Sequence, residues 1–471
     1  MINTHLELSR RSFLKSSAAA FAGGATMRGG LANMTAMAAD VSGYKALVCI
    51  LFAGGLDCHD VVLPLDQPSY NAFADIRQEL LTQYNGLPGG STRTRGRLLP
   101  LNPENAADFG GRQFALPETL APIHTMFENG EAAIIGNVGP LIEPTTRTTL
   151  REGLVAVPPR LYSHNDQIST WLASEPEGAR FGWGGRIADF ALQSGANVNP
   201  TLTAVSIAGN SVFLSGETAQ QFQVSSRGAS ELDEVSSSRL FGSEALPAMM
   251  SEHFRNIGGG HTNVFQQDVI DVTERSIAAN AQLAATLEDE APFTTVFPEG
   301  RLAGQLAMVA RLIAVRENFG VGRQVFYVSD GGYDTHSNQA RDMTNLQLGF
   351  SGAVAAFQSA MAELGVANDV TLFTTSDFGR TLTANGDGTD HGWGGHHFVV
   401  GGAVNGRRIY GSIPEPAFDH ELDSGRGRLI PSVSVEQFAG TLGNWFGLTN
   451  GEVAQAAPGI TNFAQRNIGF V

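Results

Sequence analysis

The chain is short of cysteine, of basic charge and of long apolar runs. Its 471 residues hold two cysteines, Cys49 and Cys58. Extended chain between them spans roughly 30 Å, beyond disulfide reach unless a turn intervenes, so both read as reduced and buried. Lys and Arg number 30 against 46 Asp and Glu, a net charge of −16. That shortage argues against sequence-independent nucleic-acid binding, which needs a basic face. A small anionic ligand stays open, because a metal or a local Arg overrides the global field. Beyond the N-terminus no segment has the roughly 18 uninterrupted apolar residues of a membrane span. No internal repeat is present. At 42% hydrophobic and 16% charged, the composition is that of a globular chain able to bury a large core. Glycine is abundant, 56 residues. It gathers at strand ends, which suits backbone approaching a ligand and tight turns equally.

The N-terminus is distinctive. "SRRSFLK" (Ser9–Lys15) pairs Arg10 with Arg11, an Ala/Gly-rich weakly apolar stretch follows, and "AMA" (Ala36–Ala38) offers a small-x-small cleavage site. The pattern resembles a twin-arginine export signal, with a disordered basic leader as the plainer alternative. It implies that residues 1–38 are a signal peptide, removed from a periplasmic or secreted protein. Because that route carries folded proteins, it also implies folding, and any metal loading, in the cytosol.

From Tyr44 onward apolar strands alternate with helical patterns. Strands are expected at 44–55, 132–139, 202–210, 323–332, 369–379 and 396–404, and helices at 68–81, 116–131, 163–174, 182–195, 301–318, about 339–365 and 434–447. Residues 86–103 read as a surface loop, and about 216–300, Ser-rich and then helical, as an insertion or cap. Such alternation predicts an α/β fold with a mostly parallel sheet covered on both faces.

In open α/β sheets ligands sit beyond the carboxyl ends of the strands. What stands there is telling. The first strand runs into "GGLDCHD", with Asp57, His59 and Asp60. "RQVFYVS" runs into "DGGYDTH", with Asp330, Asp334 and His336. "VTLFTTS" runs into "DFGRT", with Asp377 and Arg380. Before the last strand stands "DHGWGGHH", with His391, His396 and His397. Each has a bland alternative: an Asp after a strand is often a cap or turn residue, and a His in a Gly-rich loop is often solvated or core. Together they point to a metal site of Asp oxygens and His nitrogens built on Asp334, His336, Asp377 and His391. Such ligands suit zinc or manganese better than calcium or magnesium. Asp334 and His336 are two apart, so in extended chain both face one side.

"GGYDTH", "SDFGRT" and "DHGWGGHH", with "YSHND" and the leader, make the chain similar to the DUF1501 family of uncharacterised bacterial exported proteins. That family resembles the alkaline phosphatase and sulfatase superfamily. The resemblance implies a three-layer α/β/α sandwich with metals at the strand ends, splitting phosphate or sulfate esters. It implies Asp57, Asp334, His336, Asp377 and His391 as metal ligands. It also implies a nucleophile at a helix start, where Ser163 stands, with His164 beside it as a ligand or general acid. Ser163 is equally a good N-cap, with Asp166 at N3. Arg380 and Arg186 are candidate anion clamps or structural residues. Two departures count: the Asp-to-His spacing is short, and Phe378 stands where the superfamily has a metal-binding His. One ion rather than two is therefore expected, unless His59, His396 or His397 substitutes. The expected function is a metal-dependent hydrolase acting on a small anionic ester. The alternative is a non-catalytic exported protein of the same fold, serving secretion, assembly or surface attachment of a partner.

Overall fold

The strand Lys45–Ala53 (β1) shows how the sequence builds the sheet. Ala46, Val48, Ile50 and Phe52 enter one apolar core, and Leu47, Cys49 and Leu51 enter another. A strand apolar at every position from Ala46 on is thus buried on both faces, as its period-two geometry dictates. The computed structural model describes residues 41–89, 92–228, 238–256, 264–287 and 293–471. The expected leader, with Arg10 and Arg11, lies outside them.

The other strands are β2 (Ala132–Gly139), β3 (Ala204–Ser206), β4 (Phe222–Gln223), β5 (Arg323–Gly331), β6 (Val370–Ser376), β7 (Arg380–Ala384), β8 (Thr389–His391), β9 (Gly395–Val400), β10 (Ile409–Gly411) and β11 (Val433–Ser434). The main sheet runs β10-β2-β9-β6-β1-β5-β3-β4, with β11 also on β2. Only β9 runs antiparallel to its neighbours. β7 and β8 form a separate hairpin, and Leu63–Pro64, Leu99–Pro100 and Phe114–Leu116 a small antiparallel sheet.

Helices of eight residues or more are α1 (Gln67–Ile76), α2 (Gln78–Asn85), α3 (Ala121–Glu128), α4 (His164–Ala173), α5 (Trp183–Gln193), α6 (Ala245–Asn256), α7 (Val264–Leu287), α8 (Arg301–Ala314), α9 (Gln339–Glu363) and α10 (Val435–Phe446). One face of the sheet is covered by α3, α8 and α9, through residues such as Ile123, Val309 and Phe357. The other is covered by α4, α5 and α10, through Trp171, Ile187 and Phe438. The result is the expected α/β architecture, helices on both faces of a mostly parallel sheet.

The differences are local. The helix expected at 68–81 breaks at Arg77, which leaves helical dihedrals (φ −104°, ψ 23°) and turns its side chain inward. The helix expected from 116 starts at Ala121, because Phe114–Leu116 pairs as a strand and Pro117 and Pro122 delay the first turn. Inside the segment expected as an insertion or cap, Phe222–Gln223 is an edge strand, paired with Val205–Ser206. Within it, α7 lays Leu283 into the core shared with α8 and α9. No helix among the described residues is long and apolar enough to cross a membrane.

Candidate metal centre

β1, β5 and β6 end side by side, Phe52 pairing with both Asp330 and Ser376. Their following loops therefore share one edge. Gly54 and Gly55 let those loops touch. At Gly54 (φ +122°) a Cβ would lie 2.2 Å from the Asp334 backbone nitrogen, and at Gly55 (φ +94°) 2.4 Å from the Phe378 ring. Only glycine accommodates both the dihedral and the approach.

Three imidazoles meet the Asp334 carboxylate at this edge. Asp334 and His336 come from the loop after β5. His391 ends the β7–β8 hairpin, opposite Arg380. His164 is the first residue of α4. Asp334 Oδ1 lies 3.2 Å from His336 Nε2 and 3.4 Å from His391 Nε2, and its Oδ2 lies 3.5 Å from His164 Nε2. His336 Nε2 and His391 Nε2 are 2.9 Å apart. Donor atoms of His164, Asp334 and His391 all fall within 4.8 Å of one another. Around one tetrahedral ion with ligand bonds near 2.0–2.1 Å, donors lie roughly 3.3 Å apart. The contacts to Asp334 are close to that spacing, whereas His336 lies outside the group whose donors all fall within 4.8 Å of one another.

The far side of each ring is also accounted for. His164 Nδ1 lies 2.6 Å from Asp377 Oδ2, and His391 Nδ1 lies 2.8 Å from the Tyr162 carbonyl. His336 Nδ1 faces Asp390 Oδ1 at 3.4 Å. An Nδ1 proton given to such an acceptor leaves the Nε2 lone pair free, the usual outer-shell arrangement of metal-binding histidines. Tyr162 holds its carbonyl in place from a left-handed conformation (φ 72°), unfavourable for a bulky residue. Its N–H is tied to Gln167 Oε1, which helps to fix that conformation.

Charge is balanced locally. Burial raises the Asp334 carboxyl's pKa, but the Arg380 hydrogen bond and charge, with His336 and His164, outweigh it and hold the group below its usual range. The Asp377 hydrogen bond raises the pKa of His164 against the pull of burial. Burial lowers that of His391, although the Tyr162 carbonyl opposes it.

The expected residues divide. Asp334, His336 and His391 converge as anticipated, and His164 joins them from α4. Asp377 stands behind His164. It is 1% exposed, and its other oxygen accepts from Gly54 N–H at 3.0 Å. Asp57 is outside the cluster: fully buried, it accepts from Arg77 Nη1 at 2.5 Å, Arg77 Nη2 at 3.0 Å and Gln339 Nε2 at 2.5 Å. Phe378 is 1% exposed and packs its ring 4.8 Å from His164 and 4.5 Å from His391, centroid to centroid.

Ser163 is the N-cap of α4, but its hydroxyl donates to Asp166 Oδ2 at 2.9 Å instead of capping the backbone. Arg380 is buried, donating to Gly54 O and Asp334 Oδ1, so it positions the carboxylate rather than a ligand. His59 is half-buried, and His396 and His397 are core residues. They face Gly427 O, Asn137 N–H and Thr374 Oγ1, and burial lowers each to about 3. Arg186 lies nearest Glu175, at 3.7 Å. Tyr162 and Asp390 went unread in the sequence. Asp390 adjoins His391 in "TDHGW", a visible signal, whereas a backbone carbonyl leaves none.

Fold and site together define an α/β protein with a His/Asp cluster at the carboxyl edge of a mostly parallel sheet. The chain belongs to the family described as "Protein of unknown function (DUF1501)", whose model matches residues 44–457. No curated protein matches it. Solved structures similar to it include the C-terminal periplasmic domain of EcEptC from Escherichia coli, at 9% identity and a TM-score of 0.36, covering 92% of this chain and 88% of that one. The BT33494S-sulf protein of Bacteroides thetaiotaomicron is 12% identical, with a TM-score of 0.35 over 87% of this chain and 74% of that one. A mutant of the alkaline phosphatase PafA is 10% identical, with a TM-score of 0.24 over 72% and 63%.

Proposed function

We propose that the protein is an exported metal-binding hydrolase-like protein that holds one divalent transition metal through His164, Asp334, His336 and His391. The observation that carries this reading is the convergence of three Nε2 atoms on one carboxylate, two of the rings being tied at Nδ1 within hydrogen-bond distance. Three nitrogens and one oxygen favour zinc, then manganese, over calcium or magnesium. Asp57 and Asp377 fall outside this ligand set, since each already has partners.

A bound ion of this kind supplies Lewis-acid polarisation of a phosphate or sulfate ester oxygen. The chain's own residues orient. Asp377 fixes the His164 ring, Tyr162 fixes His391, and Arg380 holds Asp334. Arg426, on Asp390 Oδ2 at 2.8 Å, and Arg428, on the His391 carbonyl at 2.8 Å, add positive charge near the cluster and suit an anionic substrate. His164, if not engaged as a ligand, is the candidate general base or acid, with Asp377 behind it.

The non-catalytic reading is favoured by two specific contacts. Phe378 fills the space against Gly55 and both imidazoles, and Ser163, the candidate nucleophile, is tied to Asp166. Elemental analysis of protein purified without chelator or added metal tests the site: close to one ion per chain is expected, falling to near none in His391→Ala. Metal-free protein that takes up no zinc would end the proposal. Aryl phosphates and sulfates then separate the two readings, slow turnover lost in His391→Ala supporting the hydrolase and none supporting the binding protein. For export, Arg10→Lys with Arg11→Lys is expected to trap precursor in the cytoplasm, read by fractionation and intact mass.

A further inference from the structure

The segment "DSGRGRL" (Asp423–Leu429) brings two arginines to the edge of the His/Asp cluster on a tight turn. Asp423 and Leu429 pair as an isolated bridge, and Asp423 Oδ1 accepts from Gly425 N–H at 2.7 Å and Gly427 N–H at 3.0 Å. At Gly427 (φ +70°) a Cβ would lie 2.2 Å from Leu382 Cβ, so only glycine closes the turn against β7.

Three other arginines near the cluster are each paired with a carboxylate. Arg380 lies 3.0 Å from Asp334, Arg160 lies 3.3 Å from Asp166, and Arg426 lies 2.8 Å from Asp390. Arg428 differs. Its Nε donates to the His391 carbonyl at 2.8 Å, and its guanidinium carbon lies 4.9 Å from the Tyr162 ring centroid. Among the described residues no carboxylate pairs with it, and its two terminal nitrogens have no hydrogen-bond partner. The residues that hold it are those of the cluster: His391 Nε2 faces Asp334, and the Tyr162 carbonyl faces His391 Nδ1. A half-buried cation is thus fixed beside the cluster with its charge uncompensated, in a chain of net charge −16. A planar guanidinium anchored at Nε presents its remaining nitrogens in a fork that matches two oxygens of a phosphate or sulfate.

We propose that Arg428 is the residue that recognises the substrate's anion, its terminal nitrogens binding two oxygens of a tetrahedral oxyanion, a placement that rests on the metal-centre reading above. Neither arginine expected from the sequence takes this role. Arg380 is spent on Gly54, Asp334 and Thr389, and Arg186 lies by Glu175.

Titration calorimetry with inorganic phosphate and inorganic sulfate, on zinc-loaded and on metal-free protein, tests it. Saturable one-to-one binding of at least one anion is expected on the zinc-loaded chain. Arg428→Gln should bind that anion about 10–100-fold more weakly, with its zinc content unchanged by elemental analysis. Arg428→Lys, which keeps the charge but not the fork, should fall between. Arg426→Gln should change the affinity less than about threefold, its charge being already matched. The ratio between wild type and Arg428→Gln should persist without metal, at weaker overall affinity, so a failed metal centre and a failed anion contact are told apart. Equal affinity in wild type and Arg428→Gln overturns the proposal, as does absence of binding by both anions. Loss of zinc from Arg428→Gln also overturns it, making the arginine only a prop for His391. So does an equal loss of affinity in Arg426→Gln, which would leave a diffuse basic field and no specific contact.

Discussion

Single side chains decide how the His/Asp cluster is tuned. Asp377 touches only the back of His164, yet it orients the ring and raises its basicity. Loss of such an outer partner typically costs 10–100-fold in metal affinity. Asp377→Ala is therefore expected to weaken zinc binding by about that factor without abolishing it, in a chelator competition assay, whereas His391→Ala should abolish it. Phe378 makes the opposite point. A His there gains a donor atom, but Asp57, the other carboxylate expected to help a second ion, stays bound to Arg77 and Gln339. Phe378→His should leave the stoichiometry at one metal per chain by elemental analysis. Two ions at full occupancy would show that Asp57 exchanges its arginine for a metal.

Among the elements, the junction between α1 and α2 matters most. Arg77 sits at that break and engages all three guanidinium nitrogens: Asp57 twice, Leu382 O at 2.9 Å and Thr381 O at 2.7 Å. It ties a helix pair to the loop after β1 and to the β7 strand whose hairpin carries His391. Both partners are almost fully buried. Removing one leaves the other charged and unpaired, at about 3–5 kcal/mol. Arg77→Met is expected to lower the urea midpoint accordingly, and adding Asp57→Asn should recover part of the loss. The break explains why 68–81 read as one helix: apolar spacing continues through Arg77, and nothing local marks the buried partner. Strands were more legible. β1 and β2 are mostly apolar and β5 and β6 carry apolar segments (Val325–Val328; Val370, Leu372, Phe373) because both faces are covered, and that pattern survives without knowledge of the neighbours. β3 falls within the expected 202–210, though only three residues of it pair, and the edge strand β4 carries no signal, since a two-residue edge strand exists only through its pairing.

At the scale of the molecule, three inward-facing histidines, His396 and His397 buried and His59 half-buried, set the acid limit. Burial holds His59, His396 and His397 near 3, whereas the unfolded chain titrates them near 6.5. The unfolded state therefore takes up protons that the folded state refuses as pH falls from about 6.5 towards 3. Each group removes about 1.4 kcal/mol of stability per pH unit across that window. Asp334, whose pKa is depressed in the fold, loses its stabilising charge in the same direction at lower pH. Metal-free protein is expected to unfold in acid well above pH 3, followed by circular dichroism. His397→Phe, which removes one such group, should shift that midpoint downward if the ring packs on Trp171 as the imidazole does.

The sequence by itself determined the layered fold and most of the His/Asp cluster. Continuous apolar strands oblige cover on both faces, and Asp334, His336 and His391 stand where such strands end or begin. It also marked Phe378 as a ring where a donor was expected. Only the tertiary structure decided the rest. It turned Asp57 to Arg77, set Asp377 behind His164, brought His164 into the cluster from a helix on the far side of the chain, and buried His396 and His397. Those choices depend on which atoms meet across hundreds of residues. A carboxylate reads the same in sequence whether an arginine, an imidazole or an ion neutralises it, and an imidazole reads the same in core or cluster; the partner is supplied by packing alone.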